Sequence, residues 1–180
     1  VGVIGLGHWG PNLVRNFSSN PRVDVVAVCD ARPEAFENLG ATIGADFKRC
    51  SDIRDIIGDP DIDAVVIVTP ASSHAEIARQ ALEAGKHVFC EKPPGRTVSD
   101  VERVIDCEER HGNLRLMYGF NHRYHDSVRD ALEIVRSGDL GAVINMRGVY
   151  GKSKFISFGA HSDWRVKRDI AGGGILLDQG

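Results

Sequence analysis

Short apolar runs and amphipathic stretches take turns along the chain. Val1-Gly2-Val3-Ile4 is strand-like, and Leu13, Val14 and Phe17 follow at helical spacing. Val23-Asp-Val-Val-Ala-Val-Cys29 reads as a second strand, and Pro33 stands where a helix running to about Leu39 would open. A short strand is expected near Asp46-Phe47-Lys48, then a short helix with Ile53, Ile56 and Ile57, capped by Ser51 or Asp52. Asp63-Ala-Val-Val-Ile-Val68 is almost wholly apolar, as a strand covered on both faces would be. Ser73-x-x-Glu76 has the form of a capping box, opening a helix with Ile77, Ala78, Ala81 and Leu82 inward and Gly85 at its end. His87-Val-Phe-Cys90 is a fifth strand. Ser99-x-x-Glu102 reads as a second box, leading a helix with Val101, Val104 and Ile105 inward, and Leu114 to Tyr118 is a sixth strand.

Strands separated by helices, with short gaps, predict an α/β fold. The expectation is a Rossmann-type doubly wound parallel sheet over residues 1–119. Residues 120–180 read as the start of a second, α+β domain. It would hold a helix from about Asp126 to Arg136 stopped by Gly138, a strand over Val143 to Tyr150, and a long aperiodic loop over Gly151 to Asp169.

Composition narrows the function classes. A formal net charge of −3 over 180 residues disfavours a nucleic-acid or anionic-membrane surface. No apolar run approaches the roughly 20 residues of a membrane span. Cys29, Cys50, Cys90 and Cys107 are scattered without ligand spacing, which predicts reduced buried thiols, no structural metal and a cytoplasmic protein. Both ends read as lying inside elements, the first in a strand and the last in a helix.

The candidate chemistry begins where the first strand stops. Gly5-x-Gly7-x-x-Gly10, with His8 and Trp9 between, stands between a strand and a helix, as a dinucleotide phosphate site requires. Gly5 permits the turn, Gly7 lets the pyrophosphate approach the backbone, and Gly10 lets the helix pack on the strand. The helix N-terminus adds unpaired N–H groups and partial positive charge. Asp30, twenty residues after Gly10 at the end of the second strand, would accept the adenine ribose hydroxyls and favour NAD. Arg32 keeps NADP open.

Other polar residues collect after the remaining strands: Thr69-Pro70, Glu91-Lys92-Pro93, and Gly119-Phe120-Asn121-His122-Arg123. Lys92 is the expected acid/base, an amine beside the nicotinamide that would take a hydroxyl proton as hydride departs. Glu91 reads as a cofactor contact or a support for Lys92. Thr69, Pro70 and His74 would line the cofactor's diphosphate or ribose. The plainer readings are a surface lysine in a turn and a neutral packing histidine. Asp178, after Gly172-Gly-Gly, could polarise Lys92 or a substrate hydroxyl, or be a solvated helical carboxylate.

Taken together, GLGHWG, Thr69-Pro70 with His74, Glu91-Lys92-Pro93, Gly119-Phe120-Asn121 with Arg123, and Gly172-Gly-Gly-Ile-Leu-Leu-Asp178-Gln-Gly180 resemble the glucose–fructose oxidoreductase / inositol dehydrogenase (Gfo/Idh/MocA) family. The resemblance implies NAD(P)-dependent oxidation or reduction of a ring carbon in a sugar, inositol or nucleotide sugar. It assigns catalysis to Lys92 and Asp178, cofactor contacts to Asn121, Trp164 and Arg165, and substrate contact to Arg123, Lys92 and Asp178. The family's catalytic histidine would stand four residues after Asp178, past Gly180. Its second domain, an open sheet, implies a homo-oligomer at full length. His122 and Tyr124 depart from the arginine and phenylalanine commoner there. The competing reading is a non-catalytic NAD(P)-binding sensor, which would need the glycines and Asp30 but no acid/base pair.

Overall fold

The computed structural model describes residues 1–40, 47–149 and 167–173. They form two units, residues 1–119 with 167–173, and residues 120–149. The first unit carries six strands: β1 (Gly2–Ile4), β2 (Ala27–Cys29), β3 (Lys48–Cys50), β4 (Ala64–Ile67), β5 (His87–Cys90) and β6 (Leu116–Tyr118). All are parallel, in the order β3-β2-β1-β4-β5-β6. Helix α1 (Gly10–Ser18), a 3-10 helix (Pro33–Leu39), α2 (Arg54–Ile57), α3 (Ala71–Glu83) and α4 (Val98–Arg110) make the crossovers. Because β1 neighbours both β2 and β4, the two halves wind outward in opposite directions. A crevice therefore opens at the carboxyl ends of β1 and β4.

The alternation of side chains along each strand builds two cores. Ile4, Cys29, Val65, Ile67, Val88 and Cys90 face α2, α3 and α4, with Ile56, Ala78, Leu82, Val104 and Cys107 against them. Val3, Val28 and Val66 face the other way and meet Val14 of α1 and Ala35 and Leu39 of the 3-10 helix. Because both faces are covered, β4 reads as an unbroken apolar run. All four cysteines are buried and free, and burial raises the Cys29 thiol to about 12.

Several sequence expectations shift. β2 is confined to its last three residues, and β3 starts at Lys48, two residues later than expected. Neither predicted capping box forms. Pro70, in extended backbone, lets α3 begin at Ala71, so Ser73 lies inside the helix and its hydroxyl donates to the Pro70 carbonyl at 2.9 Å. In α4 the box is Thr97 with Asp100, each side chain bonded to the other's backbone amide at 3.1 Å. The buried side of α4 is Val104 and Cys107, while Ile105 is exposed.

In the second unit a 3-10 helix (Asn121–Tyr124) leads into α5 (Asp126–Ser137), which ends at Gly138 in left-handed backbone, φ 82°. Residues 143–149 form no strand, because no ladder partner exists for them among the described residues, and Ile144 is 97% exposed. Helix α6 (Arg168–Ala171) belongs to the first unit and packs on α3, and the Arg96 guanidinium donates to the Asp169 carbonyl. Among the described residues no helix is long and apolar enough to cross a membrane.

Candidate functional site

The residue that follows each strand but the edge strand β3 continues the hydrogen-bond ladder into its neighbour. Asp30 N–H donates to the Cys50 carbonyl (3.2 Å), Gly5 to Cys29 (2.8 Å), Val68 to Ile4 (2.8 Å), Glu91 to Ile67 (2.9 Å) and Gly119 to Cys90 (2.8 Å). Five chain crossings thus leave the sheet on one row. That row delivers the glycine loop, Asp30, Thr69, Glu91 and Lys92 to the same edge, where open parallel sheets bind ligands.

The three glycines have separate physical reasons. Gly5 lies at φ 103°, and an added Cβ would fall 2.7 Å from the Val68 carbonyl. At Gly10 it would fall 2.2 Å from the Gly5 oxygen. Gly7 is different: nothing lies within 4 Å of the place a Cβ would take. The fold itself demands Gly5 and Gly10, whereas at Gly7 the smallest residue keeps space open above the backbone. Helix α1 begins at Gly10, with its unpaired N–H groups at this end. His8 stacks with Trp9 at 6.5 Å between ring centroids, and Trp9 is 47% exposed.

Asp30 is bound on both carboxylate oxygens. Oδ2 accepts the Leu6 N–H at 2.9 Å and Oδ1 accepts the Arg32 N–H at 3.0 Å. The Arg32 guanidinium pairs with both oxygens, at 3.2 and 3.3 Å. Burial pushes the carboxyl upward, but the Arg32 and Leu6 bonds outweigh it and hold Asp30 below its usual range. Asp30 is therefore an anion that also fastens the glycine loop. The loop has a second tie that no sequence pattern announced: Asn38 Nδ2, on the 3-10 helix, donates to the Leu6 carbonyl at 2.9 Å.

On the other side of the crevice Glu91, Lys92 and His74 come together. Glu91 Oε2 accepts the Lys92 N–H at 3.2 Å, and its carboxylate also accepts the Trp9 indole N–H. An added Cβ at Gly119 would lie 2.9 Å from Glu91 Oε1, so the glycine ending β6 admits this carboxylate. Burial raises the Glu91 carboxyl; the Lys92 N–H, the Lys92 charge and Trp9 oppose it. Glu91 thus joins the glycine loop to the Lys92 turn. Lys92 is half-buried, and the peptide bond to Pro93 is cis.

His74 is 2% exposed and lies between two carbonyls, Nδ1 facing Pro93 O and Nε2 facing Thr69 O, both at 2.7 Å, the neutral ring donating to one of them. It ties the end of β4 to the turn after β5. Burial lowers its pKa, the two carbonyls oppose, and the Lys92 charge adds to the lowering. This histidine therefore fits the packing reading of its position, with both nitrogens turned to protein. The Thr69 and Ser73 hydroxyls share a hydrogen bond at 2.7 Å.

A pH effect on stability follows. The folded value of His74 lies below the unfolded value of about 6.5, so the unfolded chain binds the extra proton between the two. The stability this neutral ring contributes is complete above about pH 6.5 and falls as pH drops toward the folded value. His74→Gln, which cannot titrate, should flatten the melting temperature across that window relative to the wild type. An unchanged slope in the variant would reject this assignment.

Asn121 and Arg123 lie in the second unit, both exposed on the 3-10 helix. Trp164, Arg165 and Asp178 lie outside the described residues. Among the described residues no group of three His, Cys, Asp or Glu could hold a metal ion.

Comparison with known proteins bears on this edge. The model of an oxidoreductase family with an NAD-binding Rossmann fold matches residues 1–120. The inositol 2-dehydrogenase of Salmonella typhimurium is 34% identical over 149 residues, covering 82% of this chain and 44% of that protein. The levoglucosan dehydrogenase of Pseudarthrobacter phenanthrenivorans is 36% identical over 186 residues, covering 99% and 47%. Among solved structures, the scyllo-inositol dehydrogenase of Lactobacillus casei with bound NAD(H) and scyllo-inositol superposes with a TM-score of 0.71 at 33% identity, covering 78% and 41%. An oxidoreductase domain protein of Kribbella flavida gives a TM-score of 0.82 at 31% identity, covering 99% and 49%. The chain spans less than half the length of the curated relatives it matches.

Proposed function

The chain belongs to the Gfo/Idh/MocA oxidoreductase family, and we propose that the protein is an NAD-dependent dehydrogenase acting on a ring hydroxyl of an inositol, a sugar or a nucleotide sugar. The observation that carries this reading is the row at the carboxyl edge, which joins a glycine loop and an ionised acid to a half-buried lysine. A nucleotide-binding module alone has no need of the last.

The residues present fit a dinucleotide. The space over Gly7 and the N-terminus of α1 would take the diphosphate. Asp30 would take the adenine ribose hydroxyls, and as a carboxylate held ionised it opposes a 2′-phosphate. Arg32, already paired to Asp30, offers NADP little. When bound, NAD⁺ supplies the hydride acceptor. Lys92 then removes the proton from the substrate hydroxyl, with Glu91 and His74 fixing the turn that carries it. Asp178, Trp164, Arg165, Asn121 and Arg123 complete the proposed set by resemblance, the first as a partner of Lys92. The reading includes a homo-oligomer, and a cytoplasmic location agrees with four free thiols.

NAD⁺ should bind about tenfold or more tightly than NADP⁺. The full-length protein with NAD⁺ and a panel of inositols, pyranoses, anhydrosugars and nucleotide sugars should form NADH with at least one class. NAD⁺ binding without turnover across the panel would instead favour the sensor. That outcome would sink the dehydrogenase.

A further inference from the structure

We propose that Asn38 is a positioning residue for the cofactor's diphosphate, acting through the Leu6–Gly7 peptide; this deepens, and rests on, the dinucleotide reading above. The reason lies in the backbone freedom at Gly7. A peptide plane between two residues can flip by compensating turns of the ψ before it and the φ after it, and a glycine on the far side removes most of the steric resistance. Leu6 is fully buried, and its own N–H is held by Asp30 Oδ2 at 2.9 Å. That bond fixes the preceding peptide, not the Leu6–Gly7 one. Among the described residues the carbonyl of Leu6 is held by Asn38 Nδ2, at 2.9 Å.

In a trans peptide the N–H points opposite to the C=O. Anchoring the Leu6 oxygen on the Pro33–Leu39 3-10 helix therefore turns the Gly7 N–H away from that helix. The same residue carries the open space above its Cα. A flipped peptide would exchange donor for acceptor at Gly7, facing a phosphate with a carbonyl oxygen. Asn38 holds the donor state before any ligand arrives, which spares the loop that ordering on binding.

The placement also separates this role from fold stability. Asn38 is an exposed residue, while the apolar anchors of its helix are Ala35 and Leu39, both buried. Truncating Asn38 removes no core contact. Asp30, by contrast, both fastens the loop and faces the adenine ribose, so its substitution could not isolate the phosphate end.

The experiment is a titration of the full-length protein and two variants, Asn38→Ala and Asn38→Asp, with NAD⁺ and with adenosine, alongside thermal melts. Asn38→Ala should weaken NAD⁺ binding about threefold to tenfold, the loss of one hydrogen bond. Asn38→Asp, nearly isosteric, sets a carboxylate oxygen against the Leu6 oxygen and should weaken it about tenfold or more. Adenosine, which ends before the diphosphate, should bind all three proteins within about twofold, a change small beside one hydrogen bond. Equal NAD⁺ affinity in all three proteins overturns the proposal. So does equal weakening of NAD⁺ and adenosine, which would make Asn38 a general support of the loop. A wild-type protein that binds no NAD⁺ rejects the dinucleotide reading itself, and the proposal with it.

Discussion

Lys92→Met is expected to lower kcat by about 10²- to 10⁴-fold, the range that a positioned general base contributes, while NAD⁺ affinity stays within about threefold. The argument is one of position. Lys92 leaves β5 one residue past the row of ladder bonds, so its backbone is set by the sheet rather than by a loose turn. Its N–H is bound by Glu91, and the Pro93 carbonyl next to it faces His74. Its charge is felt by both of those side chains. Methionine keeps the length and apolar stem of the side chain and removes only the amine, so packing changes little. The cofactor contacts assigned to Gly7, α1 and Asp30 lie across the crevice and are untouched. Steady-state kinetics with the best substrate of the panel, beside an NAD⁺ titration, separate the two effects. Unchanged turnover would remove Lys92 from the chemistry and leave the edge as a nucleotide site.

The second large effect is a contrast between two glycines of one motif. Gly10→Ala should destabilise the protein by about 3 kcal/mol, because its methyl would lie 2.2 Å from a backbone oxygen that cannot rotate away. For a domain of this size that corresponds to a melting temperature lower by roughly 10 °C. Gly7→Ala should leave the melt unchanged or slightly raised, since its methyl enters open space and the unfolded chain loses freedom. Its cost should fall instead on NAD⁺, about tenfold to a hundredfold in affinity, the overpacking of one methyl against the diphosphate. Thermal unfolding and NAD⁺ titration of both variants test this. If Gly7→Ala binds NAD⁺ like the wild type, the diphosphate does not cross Gly7.

Part of the site was legible because local rules set it. A strand ending in Gly-x-Gly-x-x-Gly, an acid twenty residues on and a lysine after an apolar run are properties of neighbours in the chain, and short-range sterics act on neighbours. Where the two capping boxes were expected, a nearby residue displaced the expected one. Pro70 moved the start of α3 ahead of Ser73, and Thr97 with Asp100 took the box from Ser99 and Glu102. The expected strand over 143–150 shows the complementary failure. Alternation describes a side chain's face, but a strand exists only with a partner, and residues 143–149 have none among the described residues.

Chain order alone determined the six strands of the first unit, their parallel direction and the residues that leave their carboxyl ends, since periodicity and glycine stereochemistry are written within a few positions of each other. Only the folded sheet decided what those residues do to one another: that Asp30 and Asn38 grip opposite ends of Leu6, that Glu91 sits over Gly119 and reaches Trp9, and that His74 is spent between two carbonyls. Those pairs stand from five to more than eighty residues apart in the chain. Their meeting depends on the strand order β3-β2-β1-β4-β5-β6, which arises from packing both sheet faces at once and leaves no mark in any local spacing.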